Sequence, residues 1–343
     1  MKNLNPKNII SSQLNQKNQL IISKSKIYDL VIVGSGIACS YTLINYIERL
    51  KKKLPDKTIK VAVLDKSSEF WCGIPYGSRS GRQSLIITAL KEFLPQPERS
   101  LFISWLAKNY TLIFHTLEQR RGILSREWLV SYEKAMLQGD WDELFIPRYI
   151  FGLYIKDRVE KLLQEAQKEA YLHCDLFDVD VTNIKKIEDI YQIEYSDQAK
   201  DEFRILGHKV ILSIGSPPNK IGFLEQFDVS GPSSNTKNDV CFIANMYEPS
   251  QDDNLDRIFK YLRQSNHSEQ NRVLIIGSNA SALETLYSLN NVPESQALIS
   301  KFVVISPNAQ FPHRICNPSL STTFVPHHLT SLLQTQHFKA EQI

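Results

Sequence analysis

One pattern occurs twice in this chain and limits its fold more than any other feature: a short apolar run ends at a glycine, and a helical segment and a second apolar run follow. The first copy begins with Tyr28 to Val33 (YDLVIV) and ends with Lys60 to Leu64 (KVAVL). The second begins with Arg272 to Ile276 (RVLII) and ends with Phe302 to Ile305 (FVVI). Apolar runs of this length are typical of parallel strands that are buried on both faces. The sequence therefore predicts an α/β fold with two strand–helix–strand units.

The glycine turn of the first unit reads GSGIAC over residues 34 to 39, with Cys39 where glycine or alanine usually stands. Gly34 permits the tight turn into the helix, and Gly36 lets a pyrophosphate approach the free N–H groups of the helix. Asp65 ends the next strand, where a carboxylate hydrogen-bonds a ribose hydroxyl, although it follows Gly36 by more than the usual spacing of about 20 residues. Dinucleotide binding is preferred here over an empty turn. The predicted ligand-binding residues are Gly34, Ser35, Gly36, Ile37, Ala38, Asp65 and Lys66.

The glycine turn of the second unit reads GSNASA over residues 277 to 282 and fits the pattern less well. Asn279 stands where glycine normally allows a pyrophosphate to approach, and its side chain takes up space. Ser306, rather than an acidic residue, follows the last strand, which favours a 2′-phosphate over a free ribose, with Arg314 as a candidate partner. Nucleotide binding, with NADPH slightly preferred to NADH, and a purely structural unit remain equal alternatives. The candidate nucleotide-binding residues are Gly277, Ser278 and Asn279.

The remaining chain shows a change of period near its middle. Segments with a helical pattern are Leu101 to Asn109, Arg126 to Gln138 and Pro147 to Ala170, after a loop-rich stretch from Ser67 to Pro97. Three β segments with polar turns then predict an antiparallel meander, namely Leu172 to Thr182, Tyr191 to Tyr195 and Glu202 to Leu206. A further buried strand is predicted over Lys209 to Ile214, ending near Gly215. A helical piece near Leu255 to Leu262 interrupts an otherwise polar and irregular stretch.

Composition excludes several classes of protein. The formal net charge is +3, from 40 basic and 37 acidic residues, so no nucleic-acid partner is indicated. The 5 cysteines are scattered without metal-ligand spacing, which fits a reducing compartment. No apolar run approaches the roughly 18 residues of a spanning helix. We expect a cytoplasmic protein with a small-molecule substrate, no metal and no membrane partner.

Some side chains near these motifs allow two interpretations. Trp71, Cys72 and Tyr76 border an isoalloxazine ring or pack as a loop core. Arg148 contacts a phosphate or forms a surface ion pair, and the ion pair is the commoner case. No catalytic acid, base or nucleophile is recognised, and the histidines that stand out are interpreted as solvated: His313, His327 and His328.

Five local motifs resemble bacterial FAD/NAD(P)-binding flavoproteins related to flavin-dependent N-hydroxylases. They are YDLVIVGSGIACS from Tyr28, GIPYG at Gly73 to Gly77, FIPRYIFGLY at Phe145 to Tyr154, VILSIGSPP at Val210 to Pro218, and VLIIGSNASALE at Val273 to Glu284. The resemblance implies FAD at the first glycine turn, with Gly215 where the chain leaves the FAD domain, and reduction by NADPH at the second turn. The chain departs from the pattern at Cys39, at Asn279, at Ile87, where relatives often carry asparagine, and at Pro307-Asn308, where a basic pair is usual.

The resemblance predicts an FAD-dependent, NAD(P)H-using oxidoreductase that is monooxygenase-like. Two alternatives stay open: a degenerate nucleotide-binding protein without turnover, and half of a two-chain flavoenzyme whose second chain supplies missing C-terminal segments. The fold expected is a Rossmann-like FAD-binding domain with an antiparallel β-meander, plus an incomplete Rossmann-like NAD(P)-binding unit. The predicted boundaries are a tail over 1–27, the FAD-binding domain over 28–225, a connecting segment over 226–271 and the partial NAD(P)-binding unit over 272–343.

Overall fold

A computed structural model of the chain describes residues 26–216, 240–264 and 271–311. The strands are β1 (Ile27–Tyr28), β2 (Leu30–Val33), β3 (Ile59–Asp65), β4 (Leu172–Asp178), β5 (Asp180–Ile187), β6 (Ile190–Ser196), β7 (Glu202–Gly207), β8 (Val210–Leu212), β9 (Arg272–Ile276) and β10 (Lys301–Ile305). The helices are α1 (Ile37–Lys52), α2 (Gly73–Tyr76), α3 (Leu90–Phe93), α4 (Glu98–Lys108), α5 (Tyr110–Glu118), α6 (Ile123–Gln138), α7 (Arg148–Lys168), α8 (Gln251–Gln264), α9 (Ala280–Asn291) and α10 (Ser295–Leu298), with a 3-10 turn at Ser78–Ser80.

The first unit is built on a four-stranded sheet in the order β4-β3-β2-β8, in which every neighbouring pair is parallel. All four residues of β2 are buried, as the apolar run predicts. Helices α1 and α7 pack together on one face, where they bury the largest apolar cluster of the described residues. A smaller cluster on the other face joins the sheet to the meander. Parallel strands covered on both faces are the arrangement expected of a Rossmann-like unit.

The meander was predicted correctly in kind but not in its bounds. Leu172 to Thr182 is not one antiparallel strand, because β4 pairs in parallel with β3 and a new strand, β5, begins at Asp180. The antiparallel part contains β5, β6 and β7, and β1 adds to it in parallel beside β7. The long helix α7 precedes β4 and returns the chain to the parallel sheet, since a crossover of this kind places the next strand parallel to the first.

Helix α5 was not predicted, and helix α8 extends beyond the predicted piece from Leu255 to Leu262. Helix α5 follows α4 after Asn109 and buries Ile113 and Leu117. Helix α8 lies within the predicted connecting segment 226–271, yet its apolar face packs into the second unit, with Leu255 and Phe259 in the same cluster as Leu289. The helical piece is therefore part of the second unit's core. The domain boundaries themselves stay predictions.

The second unit has a parallel pair, β9 and β10, with α9 between them in the chain. The predicted ligands and solvated residues Arg314, His313, His327 and His328 lie outside the described residues, as does the tail up to residue 25. In the three described ranges, no helix has the length and apolar character that crossing a bilayer requires.

Candidate functional site

The turn after β2 brings three strand ends together. Gly34 has φ +92°, and a Cβ at this residue would lie 2.3 Å from the carbonyl oxygen of Ser213. Its backbone N–H donates to the carbonyl of Leu64 at 2.8 Å, and the N–H of Ser213 donates to Val33 at 2.7 Å. The carboxyl ends of β2, β3 and β8 therefore meet at Gly34. Both the dihedral angle and the close approach require glycine there.

Gly36 differs from Gly34, because the fold does not require a glycine at this position. It is the N-cap of α1 with φ −71° and ψ −170°, which any residue can adopt. A Cβ would meet only the Cα of Gly73, at an ordinary distance of 3.6 Å. No side chain caps α1, and its first turn contains no acidic residue. The helix therefore presents an uncapped, electropositive N-terminus beside half-buried Ile37 and exposed Ala38.

Asp65 lies beside this turn, as predicted, but its carboxylate is already engaged. Ser35 donates to one oxygen from its backbone N–H at 2.6 Å and from its hydroxyl at 2.8 Å. Ser67 donates to the other oxygen from the same two groups, each at 2.8 Å. A ribose hydroxyl would have to share this carboxylate or displace a serine hydroxyl. The neighbouring Lys66 is exposed.

Gly215, at the carboxyl end of the β8 segment, is exposed and open. Its φ is +70°, and a Cβ there would meet no atom of the described residues within 4 Å. The preceding Ile214 is also exposed, with 66% of its surface accessible. An apolar side chain and an unobstructed backbone thus lie next to the first glycine turn, where a bulky ligand has room to approach.

The loop after β3 packs as a core rather than lining an open wall. Trp71 is 1% exposed, and its backbone N–H donates to the Ser35 carbonyl at 2.9 Å. The Cys72 thiol lies 3.4 Å from the carbonyl oxygen of Gly152, and burial raises its pKa to about 12. Tyr76 packs edge-on against Phe151. Of the two interpretations of these side chains, the packed loop is the one that the structure supports.

The glycine turn of the second unit leaves open space beside Gly277, but a side chain caps the helix that follows it. Gly277 has φ +107°, and within the described part of the chain no atom lies closer than 4 Å to its Cβ position. The side-chain oxygen of Asn279 accepts from the N–H of Ala280 at 2.9 Å, so it caps α9. The Ser278 hydroxyl donates to the carbonyl of Gln310 at 2.5 Å. A phosphate at this turn would have to displace the Asn279 side chain. No such displacement is needed at α1, which has no side-chain cap.

Arg148 forms a largely buried ion pair across the two units, which neither predicted alternative describes. Its guanidinium pairs with Glu284 of α9, and the two side chains are only 13% and 15% exposed. The same guanidinium donates to the carbonyl of Ser80 at 3.1 Å. Motif reasoning missed Glu284. The signal that marks it is a polar stripe of residues along α9, spaced three and four apart: Glu284, Tyr287, Ser288 and Asn291.

These features define a class of site. A parallel sheet, a glycine turn that opens an uncapped helix and a carboxylate on the next strand form a Rossmann-type dinucleotide-binding unit. Residues 31–217, more than half of the chain, match the model of the FAD-NAD(P)-binding family, and the chain belongs to that family. The predicted resemblance and fold class are thereby confirmed. Within the described residues, no group of three His, Cys, Asp or Glu side chains could hold a metal ion.

Several known proteins are similar to the chain. An uncharacterised protein of Mycobacterium tuberculosis is 27% identical over 291 residues, which cover 84% of this chain and 53% of the relative. The uncharacterised protein YdhS of Escherichia coli is 23% identical over 159 residues, covering 45% of this chain and 26% of the relative. The chain thus spans about half the length of the mycobacterial relative.

Solved structures of two ornithine hydroxylases are also similar. Ornithine N-hydroxylase KtzI of Kutzneria sp. matches with a TM-score of 0.48 at 16% identity, covering 90% of this chain and 60% of that one. Ornithine hydroxylase PvdA of Pseudomonas aeruginosa matches with a TM-score of 0.44 at 17% identity, covering 81% of this chain and 53% of that one.

Proposed function

We propose that the chain is the dinucleotide-binding core of an FAD-dependent, NAD(P)H-using oxidoreductase of the monooxygenase-like kind. The observation that carries this proposal is Gly36, a glycine that neither its backbone angles nor its neighbours require, at the uncapped N-terminus of α1. A diphosphate that must approach the backbone closely gives a reason for it. Family membership supports FAD as the diphosphate.

The residues divide the binding task between them. The N–H groups at the start of α1 would hold the pyrophosphate, and the positive end of the helix dipole would favour its charge. Asp65 would accept from a ribose hydroxyl, oriented for this by Ser35. The open backbone at Gly215 would admit the part of FAD beyond the pyrophosphate. When bound, FAD would supply the hydride chemistry, and the protein would bind, orient and exclude water.

The second unit is the proposed binding site of the nicotinamide nucleotide. Gly277 leaves an open cradle, while Asn279 must release the Ala280 N–H before a phosphate can take it. We therefore propose weaker binding there than at the first turn. A small-molecule substrate and a cytoplasmic location belong to the same proposal.

A nucleotide-binding protein without turnover is the second candidate, and the capped N-terminus of α9 is the observation that favours it. In that case FAD or another adenine dinucleotide binds the first turn, and no nicotinamide nucleotide reduces it. The contacts of the described residues give no support to a second protein chain.

Flavin extraction from the purified protein, followed by anaerobic titration with NADPH, separates these candidates. A yellow protein whose flavin is bleached by NADPH supports the oxidoreductase. A bound flavin that NADPH and NADH leave oxidised supports the binding protein. A colourless protein that binds neither free FAD nor another adenine dinucleotide contradicts both.

A further inference from the structure

Helix α9 turns a polar face toward the first unit and an apolar face toward its own. Glu284 and Asn291 are seven residues apart, which places them on the same side of the helix, two turns from one another. Leu289 is 1% exposed and belongs to the apolar cluster of the second unit. The Glu284 and Asn291 side chains each form hydrogen bonds with residues of the first unit.

The first anchor is the Glu284 carboxylate. One of its oxygens accepts from the Arg148 guanidinium, from the Ser84 hydroxyl at 3.1 Å and from the Gln251 amide at 3.0 Å. The other accepts from the Tyr247 hydroxyl at 3.2 Å. Arg148 and Ser84 belong to the first unit, so the carboxylate holds groups of both units in one cluster.

The second anchor is the Asn291 carboxamide, which is 4% exposed. Its oxygen accepts from the backbone N–H of Ser125, near the N-terminus of α6, at 3.0 Å. Its nitrogen donates to the Ser125 hydroxyl and to Gln83, each at 2.9 Å. A Cβ on Gly122 would lie 2.2 Å from this carboxamide, so the Asn291 side chain lies directly against the Gly122 backbone. Two hydrogen bonds to Ser125 and one to Gln83 set one register of α9 against α6 and the loop at Gln83.

The anchors act on the nucleotide turn through a short, stiff connection. Glu284 lies four residues, about one helical turn, after Ala280, the first residue of α9. Gly277 to Asn279 therefore lie at the end of a helix whose position against the first unit is held at Glu284 and Asn291. A tilt of α9 would move this turn relative to the first glycine turn.

We propose that Glu284, paired with Arg148, and Asn291 are positioning residues that hold the second unit at the separation that hydride transfer to the flavin requires. This role rests on the proposed function. A buried ion pair adds little stability compared with apolar packing, but removal of one partner leaves an uncompensated charge in the interface. The proposed role of the intact cluster is therefore the orientation of α9, to be tested in variants that still fold.

The test compares E284Q, R148Q and the double variant with the wild type. We expect faster hydrogen–deuterium exchange in α9 and at least a tenfold slower reduction of bound FAD by NADPH, with FAD content unchanged. Because the residues act as a pair, the double variant should be no slower than the slower single variant. D256N is the matched control, since Asp256 also pairs with Arg120 across the two units but its side chain is 70% exposed. It should behave as the wild type.

A folded E284Q protein with wild-type exchange in α9 and a wild-type reduction rate would overturn the proposal, as would additive effects in the double variant. If E284Q does not fold, N291A provides the same two measurements without leaving a charge unpaired. A different result would overturn the proposed function instead: NADPH does not reduce FAD bound to the wild type, yet the variants exchange faster in α9. In that case the contact between the units is upheld.

Discussion

Asp65 accepts two hydrogen bonds from Ser35, from its N–H at 2.6 Å and from its hydroxyl at 2.8 Å. The end of β3 is thereby tied to the glycine turn after β2, and the carboxylate is oriented before any ligand arrives. Ser67 restrains its other oxygen in the same way. Such prior orientation lowers the entropy cost of binding a ribose hydroxyl.

Asp65→Ala should therefore weaken FAD binding by tenfold or more, because both the ribose acceptor and the tie to the glycine turn are lost. Ser35→Ala is the matched control. It removes one hydroxyl donor and frees an acceptor position on Asp65, so FAD affinity should stay within about threefold of wild type, which corresponds to less than about 1 kcal/mol. Fluorescence titration of the apoprotein measures both. Equal losses in the two variants would show that Asp65 acts only through the turn.

Gly34→Ala should destabilise the protein by about 3 kcal/mol, from left-handed backbone strain plus a forced contact with Ser213. Gly139→Ala separates the two effects. Gly139 has φ +83°, and none of the described residues comes within 4 Å of its Cβ position, so only strain of about 1 kcal/mol is expected. Urea unfolding of both variants gives the comparison. Similar losses of unfolding free energy at the two positions would mean that the backbone at Ser213 shifts to make room for the added methyl group.

Asp175 should contribute acid-sensitive stability. Burial favours its neutral form, but hydrogen bonds from Lys26, Tyr28 and His173 outweigh burial and hold the pKa of Asp175 below its ordinary value. A lowered pKa in the folded state stabilises the protein above the ordinary Asp pKa of about 3.9, and this contribution is lost as the pH falls through the lower folded value.

Asp175→Asn should therefore cost about 1–2 kcal/mol at pH 7, and the difference from wild type should shrink below about pH 4. Urea unfolding at a series of pH values measures it. Asp56→Asn, at an exposed position, is the control for the loss of one carboxylate and should change the unfolding free energy at pH 7 by less than about 0.5 kcal/mol. A difference that stays constant down to pH 3 would contradict the assignment.

Cys72 should resist alkylation in the native protein. Burial raises its pKa to about 12, so little of the reactive thiolate exists at pH 8, and its side chain is inaccessible. Half-buried Cys241 is the internal reference and should be labelled first. Iodoacetamide labelling with peptide mapping, with and without urea, gives the order. Native labelling of Cys72 as fast as that of Cys241 would show that this loop opens readily.

The first unit could be predicted closely because its signals are local. Apolar runs mark β2 and β3, and the glycine turn lies between β2 and α1, so Gly34, Gly36 and Asp65 were placed together correctly. The parallel partner of β4 was missed, because the run at Leu172 has the same composition in a parallel or an antiparallel sheet. Only the packing of α7 against α1 decides between them.

The contact between the two units could not be predicted from motifs. Arg148 and Glu284 are far apart in the chain and belong to no shared pattern, so only the tertiary arrangement pairs them. The helix cap formed by Asn279 could not be predicted either, because asparagine at a glycine position indicates either backbone strain or a cap. The buried polar stripe of α9 was visible in the sequence, yet it is typical of a solvated face as well.

The most direct test of the central claim is the FAD affinity of Gly36→Ala, measured together with its unfolding free energy. The backbone angles at Gly36 suit alanine, and the added Cβ has an ordinary contact with Gly73, so the loss of stability should stay below about 1 kcal/mol, the difference between glycine and alanine at an N-cap. The same methyl group would stand where the pyrophosphate approaches α1, and FAD affinity should fall by tenfold or more. An equally stable variant that binds FAD as tightly as the wild type would contradict the account.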